Sequence, residues 1–212
     1  MQLTRKLIIG AAIELIEQDG VDAVSMQRLA SELGCGVVSL YHHVPSRSAL
    51  LDGVADAVMS GIAVTSVPGT DWQEQVRAQA RAFRQITRAH PRCAMVVISR
   101  PASSAAIVRP AEDALATLRA AGFGRAEAVR IVRAFVAYIV GSVLPVAAVS
   151  PGLADGGDDG DRPRPRLRAA EFPQVTDLAP ELSGSDDEAD FEFGLDLLIR
   201  AVAALQPVLV AC

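Results

Sequence analysis

Between Ser25 and Leu51 the chain reads SMQRLASELGCGVVSLYHHVPSRSALL, and no other stretch constrains its fold so tightly. Ser25 can cap a helix by accepting backbone N–H bonds that the first turn leaves orphaned. Met26, Leu29, Ala30 and Leu33 follow at helical spacing. Gly34 stands where a left-handed residue commonly ends a helix, and Gly36 keeps the turn tight. Val37, Leu40, Tyr41 and Val44 give a second helix one apolar face. Pro45 ends it, because the residue before a proline is pushed out of helical geometry. Ser46 can cap a third helix, with a stripe of Leu50, Leu51, Val54, Val58, Met59 and Ile62. None of the three can bury its stripe alone, and connections of a few residues force them onto one another. This is the layout of a helix-turn-helix DNA-reading head, whose second helix is placed to enter a major groove.

The residue types suit that task unevenly. Val37, Val38 and Ser39 open the reading helix, where base edges are met. Valine cannot hydrogen-bond but can touch a thymine methyl group; Val37 can equally be buried against the first helix. Gln27, between Ser25 and Arg28 at the start of the preceding helix, is the candidate for a bidentate contact to adenine. Tyr41 can pack its ring inward and still aim its hydroxyl at a phosphate. His42 and His43 close the helix, and Arg47 opens the next within reach of the DNA backbone. Adjacent histidines on a helix diverge, so the pair serves one metal ion poorly, and neither a metal nor a cofactor is expected.

Composition narrows the class. The net charge of −5 argues against a protein that coats nucleic acid. Up to Leu50, Arg5, Lys6, Arg28 and Arg47 face Glu14, Glu17, Asp19, Asp22 and Glu32, so the head itself has no basic excess. Specific binding then rests on a few placed contacts. Cys35, Cys93 and Cys212 are far apart and odd in number, which fits neither a zinc site nor a disulfide framework. No secretory leader opens the chain, since Glu14 and Glu17 break the first apolar stretch, and a cytoplasmic protein is expected. No acid, base and nucleophile set of an enzyme is visible.

Leu29-Ala30, Leu33-Gly34, Leu40-Tyr41, His43-Val44, Arg47 and Ala49-Leu50-Leu51-Asp52 together resemble the TetR family of bacterial transcriptional repressors. His90-Pro91, Arg100-Pro101, Ala121-Gly122-Phe123 and Phe191-Glu192-Phe193-Gly194-Leu195 extend the likeness to the tetracycline-repressor type of C-terminal domain. The resemblance implies an all-α fold, with a three-helix head over 1–48 and a helical domain over 49–212 that binds a small-molecule effector and forms a homodimer. It also implies double-stranded operator DNA as partner, and a phosphate contact for His43. In tetracycline repressors an arginine occupies the position of Gln27, so the operator should differ.

The rest of the chain supports a helical regulatory domain. Helices are expected from Thr70-Asp71 to about Ala89, over Ala94–Ser99, from about Ser103 to Ala121, over Ala126–Val149 and from about Glu188 to Leu205. The apolar run after Ala134 contains Gly141 and Pro145 and falls short of the roughly 20 residues of a membrane span, so no membrane association is expected. Residues 151–187, rich in proline, glycine and aspartate, read as a mobile loop. Met59, Ala63, Gln79, Phe83, Ile86, Val97, Arg100, Leu115, Leu118, Phe135 and Tyr138 are the expected effector contacts, although Arg100 can instead play a structural part. The histidine by which tetracycline repressors hold the magnesium–drug complex is missing from Met95–Ser99, and Ala63 and Gln79 stand where a drug-binding histidine and asparagine are implied. Tetracycline–magnesium is therefore disfavoured, and a more apolar effector is expected. A DNA-binding activator, and an interaction module that no longer binds DNA specifically, remain open alternatives.

Overall fold

The computed structural model describes residues 3–62, 70–100, 104–143, 172–184 and 186–205, and these contain helices and no strand. Helix α1 (Arg5–Asp19) is capped by Thr4, whose Oγ1 accepts the Leu7 N–H at 3.2 Å, and it stops at Gly20 with φ 88°. A 3-10 turn (Val21–Ala23) leads to α2 (Met26–Glu32), capped by Ser25 Oγ on the Arg28 N–H at 3.1 Å. Gly34, at φ 61°, turns the chain into α3 (Val37–His43). Helix α4 (Arg47–Met59) opens on Ser46, which accepts the Ala49 N–H at 3.0 Å. Ile8, Ala12, Ile16, Leu29, Leu40, Leu50 and Val54 are fully buried where the four helices meet.

Helix α5 (Trp72–Ala89) is capped by Asp71, which accepts the Gln73 N–H at 2.9 Å. Helix α6 (Pro91–Ser99) begins three residues earlier than its apolar pattern suggests, because Pro91 suits the first helical position, where no N–H is needed. Helices α7 (Ala105–Ala120) and α8 (Arg125–Val143) are joined by a turn at Gly122, φ 94°. Beside that turn Trp72 meets Phe123 edge-on, with ring centroids 5.3 Å apart. The expected continuation of α8 to Val149 lies outside the described residues.

By contact the chain divides into two compact units, one of residues 1–143 with 198–212 and one of residues 144–197. The expected head boundary at 48/49 lies within the first turn of α4. The core there is continuous: Cys93, Val96 and Val97 of α6 belong to the same apolar cluster as Ile8, Leu40 and Leu50 of the head. In the second unit, α9 (Pro173–Asp177) and α10 (Ala179–Ser183) are single turns packed on each other, each with a proline in its first positions. They stand inside the segment read from sequence as a mobile loop; residues 151–171, with the Arg162–Arg168 strip, lie outside the described residues. Helix α11 runs over Asp187–Ala203.

Candidate DNA-reading head and effector cavity

The short α3 divides cleanly between core and surface. Leu40 is fully buried and Val37 packs against the core cluster, whereas Val38 is 71% exposed and Tyr41 46%. Ser39, His42 and His43 are also exposed, as are Gln27 and Arg28 on α2. The surface around α3 therefore carries one large apolar side chain, hydroxyls and two imidazoles.

The two arginines expected near the DNA backbone are engaged inside the head. Arg28 forms an ion pair with Asp19 of α1. Arg47 donates from Nε to the Val24 carbonyl at 2.8 Å and from Nη2 to the Val21 carbonyl at 2.7 Å, so it ties the turn before α2 to the start of α4. Ser25 spends its hydroxyl oxygen on the α2 cap.

Helix α6 is bonded to the head at both ends. At its N-terminus the Glu17 carboxylate of α1 accepts the Cys93 N–H at 2.8 Å and the Arg92 N–H at 3.3 Å, and Arg92 donates to the Gln18 carbonyl. At its C-terminus Arg100 donates from Nε to Asp52 Oδ1 at 2.7 Å and from Nη2 to Ser48 Oγ at 2.7 Å, both on α4. Ser104, at the start of α7, donates to Asp56 one turn further along α4. Burial pushes the Cys93 thiol well above its ordinary range, and its bond and proximity to the Glu17 carboxylate act in the same direction.

Helices α4 to α8 enclose a cavity of about 760 Å³. Met59, Gln79, Phe83, Val97, Leu118 and Phe135, all expected effector contacts, line it together. Ile86, Arg100, Leu115 and Tyr138 are not on its wall. Ile86 is directed at Gly61, and Arg100 is held by α4. Ala63 lies outside the described residues. The sequence reading missed much of the α7 and α8 wall, including Ala106, Arg109, Pro110, Asp113, Val132 and Ile139. The four-residue recurrence of Ala106, Pro110 and Ala114 was the available signal, but small residues at that spacing serve helix contacts equally well. Among the described residues no group of three or more histidine, cysteine, aspartate or glutamate side chains could hold a metal ion. No helix among them is long and apolar enough to cross a membrane.

A helix-turn-helix head built on the same core as a ligand-sized cavity defines a DNA-binding regulator. Residues 8–54 match the family model described as bacterial regulatory proteins, tetR family, and residues 66–205 match the tetracyclin repressor-like C-terminal domain. The chain belongs to the TetR family. It is 31% identical over 202 residues to an HTH-type transcriptional regulator of Saccharopolyspora erythraea, covering 95% of this chain and 85% of that one. It is 32% identical over 210 residues to the class A tetracycline repressor from transposon 1721 of Escherichia coli, covering 95% and 91%. The crystal structure of the Streptomyces coelicolor TetR family protein ActR in complex with actinorhodin matches with a TM-score of 0.75 at 29% identity, covering 96% of this chain and 98% of that one. The protein is thus a transcriptional regulator and not an enzyme.

Proposed function

We propose that the protein is a repressor that binds a palindromic operator as a homodimer and leaves it when a small molecule enters the cavity between α4 and α8. One observation carries this reading: α6 forms part of the cavity wall through Val97 and Ile98 and is bonded at both ends to α1 and α4 of the head. A ligand that fits only one placement of α6 thereby favours one placement of the head. The shift it can produce equals its difference in affinity for the two states. In this reading Val38, Ser39 and Gln27 face the bases, while Tyr41, His42 and His43 meet phosphates. Val37, Ser25, Arg28 and Arg47 keep the head in shape. Val129 of α8, and Phe193 and Leu197 of α11, are exposed apolar side chains offered to the dimer partner. The cytoplasm is the place of action.

Fluorescence anisotropy on the DNA upstream of the chain's own gene and its neighbours tests this. The expected result is saturable binding of a dimer to one site, retained over random competitor DNA. The salt dependence should be shallow, because the two arginines nearest α3 are engaged within the head. A folded dimer that binds no specific site even at low salt would replace the repressor with an interaction module. Specific binding that raises rather than lowers transcription of the adjacent gene would make it an activator.

A further inference from the structure

The cavity wall states which chemistry its ligand must bring. Thr117 Oγ1 lies 2.9 Å from the Asp113 carbonyl, one turn back on α7. A carbonyl can only accept, so the single Thr117 proton goes to it, and the hydroxyl oxygen is left to accept. Gln79 Nε2, 3.2 Å away, is the donor that fills it. This fixes the side-chain amide: its NH₂ faces Thr117, and its oxygen cannot take that place. Gln79 Oε1 is then a carbonyl oxygen closed to water and without any hydrogen-bond donor, on a residue of the cavity wall. Such an acceptor costs roughly 1–3 kcal/mol when left unmatched. A second acceptor stands on the same wall. Pro110, inside α7, has no N–H to give the Ala106 carbonyl, and both residues line the cavity.

Charge is balanced there. Arg109 and Asp113, one turn apart on α7, are the charged residues among the described lining, and their signs cancel. Most of the remaining wall is aliphatic or aromatic, so an ionised ligand would sit with its charge uncompensated.

We propose that the effector is an uncharged, largely apolar molecule carrying a hydroxyl or N–H donor, of the phenol or ring-alcohol kind, and that Gln79 Oε1 is the acceptor that selects it. Thr117 is the positioning residue that keeps this acceptor turned to the ligand. The proposal rests on the cavity being the effector site. It adds a direction to the polar contact: the ligand donates and the protein accepts.

The test uses the full chain and three fluorescent probes of nearly equal shape at neutral pH: 1-hydroxypyrene, 1-methoxypyrene and pyrene. The hydroxyl compound should bind about tenfold tighter than its methyl ether, the ratio of one well-made neutral hydrogen bond. In Gln79→Met the two should bind within about twofold of each other. In Thr117→Val the amide is free to turn its NH₂ to the ligand, and the ratio should fall because the methyl ether gains. Unchanged melting temperatures establish that the variants are folded, and the comparison within the unaltered protein needs no variant. Equal binding of the hydroxyl and methoxy probes overturns the donor rule while leaving the cavity as a binding site, as does a ratio that survives Gln79→Met. Failure of all three probes to bind overturns the cavity as the effector site, and the donor rule with it.

Discussion

Replacing Arg47 separates two jobs that the sequence leaves merged. As a DNA contact, its guanidinium neutralises a phosphate. As a structural clamp, it holds the Val24 and Val21 carbonyls at 2.8 and 2.7 Å and so fixes α4 to the turn before α2. A hydrogen bond from a charged group contributes about 1.5–3 kcal/mol. The bond to Val24 is partly buried, whereas the one to Val21 is exposed, where water readily replaces the arginine. Arg47→Ala should therefore destabilise the fold by about 2 kcal/mol, lowering the melting temperature by about 4–8 °C for a chain of this size. Operator affinity should fall while the slope of its logarithm against salt stays the same, because no phosphate contact is lost. Arg47→Lys sharpens the distinction. A lysine keeps the charge but lacks the flat fork that reaches two carbonyls at once, so it should rescue little of the stability. Calorimetry and anisotropy at several salt concentrations read both quantities. A variant that melts like the parent while the salt slope drops by about 2 for the dimer, near 0.9 per lost phosphate contact, would refute the clamp and restore the DNA contact.

Three further outcomes follow from single residues. Val38 is exposed and can read only methyl groups, so replacing the contacted thymine with deoxyuridine should weaken binding about fourfold, one methyl's worth of burial, and Val38→Ala should erase that difference. Gly34 has open space where a Cβ would go but holds φ at 61°, so Gly34→Ala should cost about 1 kcal/mol in urea denaturation through backbone strain alone. Because Cys93 in the fold holds its proton above the ordinary thiol value of 9.0, stability is full below that pH and is lost as pH rises beyond it. The parent should lose about 1.4 kcal/mol more per pH unit than Cys93→Ala in the alkaline range, and parallel stability curves would exclude this coupling.

The head was legible because its signals are local. Ser25, Gly34, Pro45 and Ser46 punctuate the chain within a few residues of the helices they start or stop, and each cap appears where the sequence places it. Apolar spacing likewise separates Leu40, fully buried, from Ser39 and His42 beside it. The cavity was only half legible. Phe83, Val97 and Phe135 lie on its wall, but Ile86, with the same kind of side chain on the same helix as Phe83, turns to Gly61. Helical period says which residues share a face. It does not say whether that face meets a neighbour or an empty space, since this depends on how far apart two other helices are held.

The polar contacts that tie the head to the cavity wall were the least legible, for a related reason. Glu17 and Cys93 are 76 residues apart, and Arg100 and Asp52 are 48 apart. Taken alone, Glu17 is one more acidic residue on a surface helix, and Arg100 is one more cation before a proline. Their role appears only when α6 lies across α1 and α4. There Glu17 meets two of the N–H groups that the first turn of α6 leaves without helical partners, and Arg100 anchors the last turn. A helix fastened at one end could tilt in response to a ligand without moving what it touches. Fastened at both, α6 cannot change its place on the cavity wall unless α1 and α4 follow or one of these bonds breaks. The bonds at the two ends join partly exposed charges, so each contributes modestly to stability. Their larger effect is to confine the ways α6 can move, and that confinement is what lets a small change of fit at Val97 and Ile98 be felt at the reading helix.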